Sequence, residues 1–530
     1  MSWSGWGDPQ QRVPLGEGAI LMLREELPGA RPASPVDPQD VRLPPPRGLP
    51  SALGSFMAST DRAERIRCAA GKSYPDLARI RSGEIPRAPD AVLAPASAAE
   101  VTGILEACAR EGVAVVPFGG GTSVVGGVDP EAGAHQRVIA LDLRRLDHFT
   151  LDARSMTARL GPGLLGPQAE AALGEHGFTL GHFPQSFEFA TIGGFAATRS
   201  AGQASAGYGR FDDLVSAVQM VSPEGTLRTL ETPHTAAGPA LRELIVGSEG
   251  TLGVISDVTL RVRPAPAVKR YEGWIAADFE SGYEAVRTLA QADSLPDVCR
   301  LSDRDESRVS LAMSNTKGLA KSLFETYLGI RGRSDGCIVI AGWEGADADV
   351  RRRRAASVAI LRRHGVVPLG RAPGRAWSHG RFRGPYLRDE LMDAGYFIET
   401  LETSHTWARY GELYAAVGTA IRDALAAQGS PGIVMCHLSH AYRDGASLYY
   451  TFIAPRLEGG EIEQWRQTKS AACDAIVAHG GTITHHHAVG RDHAPYMAAE
   501  VGELGVEALR ALKSRLDPAG IMNPGKLLGS

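Results

Sequence analysis

Twelve residues, Pro117 to Val128, read PFGGGTSVVGGV, and five of them are glycine. They follow a short apolar run, Val113 to Val116, so the loop is expected to leave the end of a buried strand. Without a Cβ, glycine lets the backbone take positive φ and bring several N–H groups close to phosphate oxygens, and Thr122 and Ser123 add hydroxyl donors. An ordinary glycine-rich turn would account for the segment as well, so the rest of the chain must decide. In a Rossmann-type fold the glycines open a helix at once, with an acidic residue about 20 positions later. Here they lead instead to a second strand, Val138 to Leu143. That disfavours NAD and points to another way of holding a diphosphate.

At 530 residues the chain is too long for one hydrophobic core, so several domains are expected. A net charge of −4 gives no general pull toward nucleic acid or an acidic membrane, so any basic site must be local. The six cysteines never fall in a CxxC pair, which argues against a zinc ribbon or a dithiol centre and fits a reducing compartment. No secretory pattern opens the chain and no apolar run approaches the roughly 20 residues that span a bilayer. The expectation is a cytoplasmic protein with room for peripheral contact at a membrane surface, assembled as a homodimer.

Residues 1–90 read as an arm, opening SWSGWGDP and continuing through a proline-rich stretch, Pro32 to Pro50, into a helical segment from Ala58 to Ile80. Trp3 and Trp6 read as packing anchors. A unit over 91–265 starts with a helix, capped by Ser97 and Glu100, that turns Val101, Ile104, Leu105 and Cys108 to one side and stops at Gly112. Two further glycine-rich stretches follow, Gly181 to Val215 and Val246 to Ile255. The first interleaves aromatics too apolar for a free linker. Over 266–475 strand-like and helical runs alternate, including the strands Gly336 to Trp343, Ile433 to His440 and Ala446 to Ile453, which suits an antiparallel-sheet cap. The arginines 351 to 354 read as a solvated helix face.

The last unit, 476–530, holds THHHAVGRDH, Thr484 to His493. Four histidines in ten residues invite a metal reading. If the run is extended, however, neighbouring side chains point to opposite faces and only His485 and His487 share one. Acid–base work is favoured, because imidazole titrates near neutral pH. No metal is assigned.

PFGGGTS, the PQSFEFATIGG segment and GSEGTLGVI together resemble the flavin domain of the vanillyl-alcohol oxidase / p-cresol methylhydroxylase superfamily over about Ala91 to Pro264. The resemblance implies an α+β fold: a two-subdomain FAD-binding domain with an antiparallel-sheet cap. It also implies FAD contacts at Pro117, Gly119, Gly120, Gly121, Thr122 and Ser123 in the first motif. The second would contribute Pro184, Ser186, Thr191, Gly193, Gly194, Thr198, Ser200, Ala201 and Tyr208, and the third Glu249, Thr251, Gly253 and Ile255. No histidine lies between Arg110 and Ala134, so the FAD is expected to be non-covalent.

SWSGWG, RLSD (300–303 with its leading Arg300), GPYLRD, ETS, DGASLYY and HHHAVG extend the likeness over nearly the whole chain, which is similar to the alkyldihydroxyacetonephosphate synthase family. That likeness implies exchange of the acyl chain of acyl-dihydroxyacetone phosphate for a fatty alcohol through a flavin N5 adduct, with small lipid substrates. It implies His486 and His487 as bases, with His485 behind them, and Tyr449 giving or taking a proton. Arg300, Arg388 and Arg491 would hold the substrate phosphate. Arg491, Asp492 and His493 depart from the family's lysine-rich continuation, and DPAGIMNPGKLL resembles FAD-linked 2-hydroxy-acid dehydrogenases of the D-lactate or glycolate type. Such a dehydrogenase, and a flavin-binding scaffold without catalysis, remain open as alternatives.

Overall fold

The computed structural model describes residues 2–312 and 319–529. Strands Val113–Phe118 and Ala91–Leu93 both pair in parallel with Arg137–Asp142, and Ala58–Ser59 adds an antiparallel edge. Helix Ala98–Glu111 covers this sheet. Ser97 Oγ accepts from Glu100 N–H (3.2 Å) at its start, and Gly112, at φ +62°, ends it in the left-handed conformation. Val101, Ile104, Leu105 and Cys108 face inward as their spacing requires. A second, five-stranded antiparallel sheet is formed by Phe149–Asp152, Thr157–Leu160, Val254–Arg261, Val215–Ser222 and Gly225–Arg228, in that spatial order.

A seven-stranded antiparallel sheet dominates the second half. Its order is Val367–Gly370, Val268–Ala276, Cys337–Gly345, Val298–Ser302, Ile433–Leu438, Gly445–Pro455 and Tyr396–Thr406. The hydrophobic core that holds Trp274, Trp343, Tyr410 and Phe452 joins it to helices Phe279–Gln291, Asp347–Arg363 and Trp407–Ala427. Three side chains of the site, Glu402, Tyr449 and His437, stand on the last three strands of this sheet.

Two local expectations need correction. The segment Ala58 to Ile80 is a short strand and two helices, Arg62–Arg67 and Tyr74–Arg81, because the backbone at Gly71–Lys72 turns onto the glycine loop and Ser73 opens a new helix with a capping box to Asp76. Within the run of four arginines, Arg353 bonds Asp297 and Arg354 bonds Glu272, both buried carboxylates, so half of that face is pinned rather than solvated. The amino-terminal arm meets the cap, where Arg12 pairs with Glu390 and Asp393 and Ala33 N–H donates to the Asp393 carbonyl. Among the described residues, no helix is long and apolar enough to cross a membrane.

Candidate active site

The glycine loop leaves strand Val113–Phe118 and is boxed in by the other two glycine-rich stretches. A Cβ at Gly120 would stand 1.9 Å from the Phe189 carbonyl oxygen, and one at Gly119 would stand 2.3 Å from Thr191 Oγ1. The third motif closes from the other side, with Gly250 (φ +73°) set against the Pro117 ring. Thr191 Oγ1 accepts from Gly194 N–H (3.2 Å) and so caps helix Ile192–Ala197. Thr122 and Ser123 are half-buried, and the Ser248 hydroxyl of the third motif is buried without a partner. A backbone cradle that no larger residue could form, edged by such hydroxyls, fits a dinucleotide diphosphate.

Several residues of these motifs use their side chains for the frame. Glu249 (φ +52°) accepts from Val489 N–H (2.8 Å) and Gly490 N–H (2.7 Å), and burial pushes its pKa up to about 7 against those donors. It therefore ties the segment after the histidines to the cradle rather than offering its carboxylate to a ligand. Thr251 Oγ1 donates to the Ser248 carbonyl, Thr198 Oγ1 to the Gly194 carbonyl, and Ser200 Oγ bonds His182. Gly253, Ile255 and Ala201 are buried in the packing, and Gly193 sits against Pro162. Pro184 and Ser186 shape the turn that carries Phe187 to Ala190, their carbonyls accepting from Phe187, Phe189 and Ala190. Tyr208 donates its hydroxyl to Glu344 of the large sheet (2.8 Å) and packs with Tyr271.

The histidine run is not extended. Glu402, 1% exposed on strand Tyr396–Thr406, accepts from the backbone N–H groups of His485 (2.6 Å), His486 (2.9 Å) and His487 (2.8 Å) and from Thr484 Oγ1 (2.7 Å). One carboxylate thus wraps three consecutive residues into a turn. Glu402 also stands opposite Tyr449 in the strand register, and Tyr449 stands opposite His437. Cross-strand partners share a face, so the three form a row. Tyr449 stacks on His437 (4.7 Å between ring centres) and is flanked by His486 (5.9 Å) and His487 (5.3 Å). His485 shares hydrogen bonds with Tyr442 (2.7 Å) and His486 (3.0 Å), while Ser205 bonds His440 (2.6 Å). The imidazoles that converge are thus His440, His485 and His486, with ligand-type atoms within 4.8 Å, not the pair His485 and His487 that an extended run would align.

The environment sets protonation. Burial lowers every imidazole of the cluster, His485 to about 3 and His440 and His487 well below the ordinary histidine value, so all are neutral at pH 7. Burial opposes the charge on Glu402, but the histidine turn around it, which gives it three backbone N–H donors, holds its pKa well below the usual carboxylate range. Burial raises Tyr449 to about 12, so the phenol keeps its proton. The site therefore combines neutral proton acceptors with a neutral donor around one fixed negative charge.

The three arginines are engaged by different partners. Arg300 lies between Glu306 (2.8 Å) and His437 (3.0 Å), at the end of the row. Arg388, on helix Gly384–Asp393, donates to the Lys72 carbonyl (2.7 Å). Arg491 departs from the expected role: it stands behind the loop at Gly126 and is taken up by Asp129, Glu131 and Asp492.

Residues 89–231 match the family model described as FAD binding domain, and 265–527 the one described as FAD linked oxidases, C-terminal domain. A curated alkyldihydroxyacetonephosphate synthase from Trypanosoma brucei brucei is 35% identical over 92% of this chain and 82% of its own length. The chain belongs to the alkyldihydroxyacetonephosphate synthase family. A solved alkyldihydroxyacetonephosphate synthase structure agrees at a TM-score of 0.86 and 28% identity, over 99% of this chain and 98% of that one. A p-cresol methylhydroxylase structure, at 13% identity and a TM-score of 0.65 over 98% and 99% of the two chains, shares the fold. FAD is the cofactor of this alkyldihydroxyacetonephosphate synthase family member, through the matched binding domain.

Sequence reasoning left out Glu402, His437, His440, Tyr442, Ser205 and Lys72 as site residues. Glu402 carried one signal, its place in the ETS motif, Glu402 to Ser404, on which the family likeness partly rests. His437 and His440 reach the site only through strand pairing, which single-sequence spacing does not contain.

Proposed function

We propose that this chain replaces the acyl group of acyl-dihydroxyacetone phosphate with a fatty alcohol, forming an ether and a free fatty acid. The observation that carries this reading is the row Glu402, Tyr449 and His437 beside the histidine turn, set next to an FAD cradle in a member of this family. FAD, held without a covalent bond, supplies the chemistry at the carbon where one C–O bond breaks and another forms, with no net oxidation. The loop's lack of histidine between Arg110 and Ala134 supports non-covalent binding.

The protein's part is proton handling and positioning. His486 and His487, neutral and against Tyr449, accept the proton from the substrate carbon and from the incoming alcohol. His485 stands behind them. Tyr449, protonated, donates to the group that leaves or receives from the one that arrives. Glu402 fixes the turn and stabilises any imidazolium that forms, as a buried carboxylate does for a catalytic histidine. Arg300 and Arg388 supply cations for the substrate phosphate.

The organisation that goes with this reading is an arm (1–90), an FAD-binding domain (91–265), a cap (266–475) and a closing segment (476–530). It is taken as a cytoplasmic homodimer that meets its lipid substrates at a membrane surface and has no nucleic-acid partner. The purified FAD-loaded chain, offered acyl-dihydroxyacetone phosphate and labelled hexadecanol and, separately, D-lactate with a dye acceptor, tests it. Labelled ether without dye reduction is expected; dye reduction without ether would instead make it a 2-hydroxy-acid dehydrogenase.

A further inference from the structure

The amino-terminal turn Ser2–Gly7 is keyed into the site rather than laid over it. Ser2 N–H donates to the Gly7 carbonyl (2.5 Å), Trp6 N–H to Asp389 Oδ2 (2.6 Å) and Asp8 N–H to the Tyr386 hydroxyl (3.2 Å). The fit admits no side chain: a Cβ at Gly5 would stand 2.3 Å from Asp389 Oδ2, and one at Gly7 (φ +55°) 2.1 Å from the Tyr386 hydroxyl. Trp6, 3% exposed, meets the Phe189 ring edge-on at 5.8 Å. Phe189 is the residue whose carbonyl lies against Gly120 of the glycine loop.

Under this turn sits Lys72, 6% exposed. Its N–H donates to the Ser123 carbonyl of the loop (2.6 Å), its carbonyl accepts from Arg388 Nη1 (2.7 Å), and its ammonium donates to the Ser2 carbonyl (3.0 Å). Lys72 and Arg388 form no ion pair with a carboxylate among the described residues. Arg388 Nε and Nη2 and the Trp6 indole Nε1 are buried with no hydrogen-bond partner at all. Two adjacent cations and an indole N–H, withdrawn from water with donors to spare, are costly unless an anion completes them. The acids that face Lys72 are Asp389, whose Oδ2 is engaged by Trp6 N–H and whose Oδ1 is buried without a partner, and Asp76, which burial raises to about 7; Arg388 also faces Glu399. Burial, and then Arg388, lowers Lys72 itself to about 8, so it is still largely charged at pH 7.

We propose that Lys72, Arg388 and the Trp6 indole form a phosphate-monoester subsite, roofed by Ser2–Gly7, that takes the phosphate of the substrate. The inference rests on the reading above that the substrate carries a phosphate. A monoester brings close to two negative charges and three acceptor oxygens, one for each of these donors. Lys72 and Trp6 are then binding residues, and the amino-terminal turn sets the selectivity for phosphorylated over plain glycerone substrates.

Calorimetric titration of the FAD-loaded full chain with inorganic phosphate, dihydroxyacetone phosphate and dihydroxyacetone tests this. Both phosphates should bind and dihydroxyacetone should not. K72Q should weaken phosphate binding about ten- to a hundredfold, the loss of one charge-assisted hydrogen bond, and W6F, which keeps the ring, about two- to tenfold. Flavin absorbance reports folding, and if K72Q lacks flavin then W6F decides. Wild-type affinity in the variants, or equal binding of dihydroxyacetone, overturns the subsite. Ether synthesis with unchanged K72Q binding would sink this inference alone, whereas Lys72-dependent phosphate binding without ether synthesis would sink the functional reading alone.

Discussion

The glycine loop at Pro117–Val128 and the histidine turn at His485–His487 adjoin one another, yet they are built by opposite means. The loop is a backbone device: its shape depends on missing side chains, and its contacts are with the carbonyl of Phe189 and the hydroxyl of Thr191. The turn is a side-chain device, folded by one carboxylate, Glu402, that arrives from a strand 83 residues before His485. The join between them is short. Gly490 packs on the Val125 carbonyl, and Glu249 holds Val489 and Gly490 by their N–H groups. On the proposed reading, cofactor holding and proton handling are therefore built separately and joined through Val489 and Gly490.

The sharpest way to break the cofactor side alone is Gly120→Ala. Its Cβ would need the space of the Phe189 carbonyl, 1.9 Å away, so the loop must shift. The purified variant is expected to lack flavin, which absorbance reads directly; a fully yellow variant would mean the loop is not the cradle.

The turn breaks at Glu402→Gln, which leaves one amide oxygen where a carboxylate accepted four donors. The cost is on the order of 3 kcal/mol, a buried charge-assisted network losing its acceptor. Turnover should fall more than about tenfold with flavin retained. The pH dependence has a definite sign. Because the native pKa of Glu402 is depressed, its stabilisation is fully present above the ordinary glutamate value near ~4.3 and is lost as pH falls through the lower native pKa. Acid unfolding of the wild type should steepen below that value, and the variant should lack this component.

This contrast also decides what could be read beforehand. A glycine-rich run after an apolar strand states its backbone freedom locally, and three such stretches carry the family resemblance that implies FAD. The histidine run shows only its composition. Whether its side chains alternate or cluster depends on Glu402, and whether Tyr449 meets them depends on strand register, neither of which a local window contains. Lys72 stands in GKSYP with no pattern around it, and the helix read across it is broken by the contact of Gly71 and Lys72 with Ser123. Likeness groups the arginines, but their partners differ: only Arg491 is taken up by two acids of the segment after the glycine loop.

A smaller effect sharpens that separation. Arg491→Gln removes the partner of buried Asp129 and should lower thermal stability while leaving the KM for the phosphorylated substrate within about twofold, since its guanidinium is already engaged by carboxylates. Arg388→Gln should do the reverse, raising KM roughly tenfold or more. Equal KM effects would put both arginines on the phosphate.

Tyr449→Phe tests the central claim most directly, with flavin content and ether synthesis measured on the same preparation. The phenol is half-buried and protonated in the row between Glu402 and His437, and among the contacts described above it touches no part of the glycine loop's frame. Full flavin occupancy with turnover reduced about a hundredfold or more is the expected result, the usual scale for a lost acid–base group. Wild-type turnover in a fully loaded variant would contradict it.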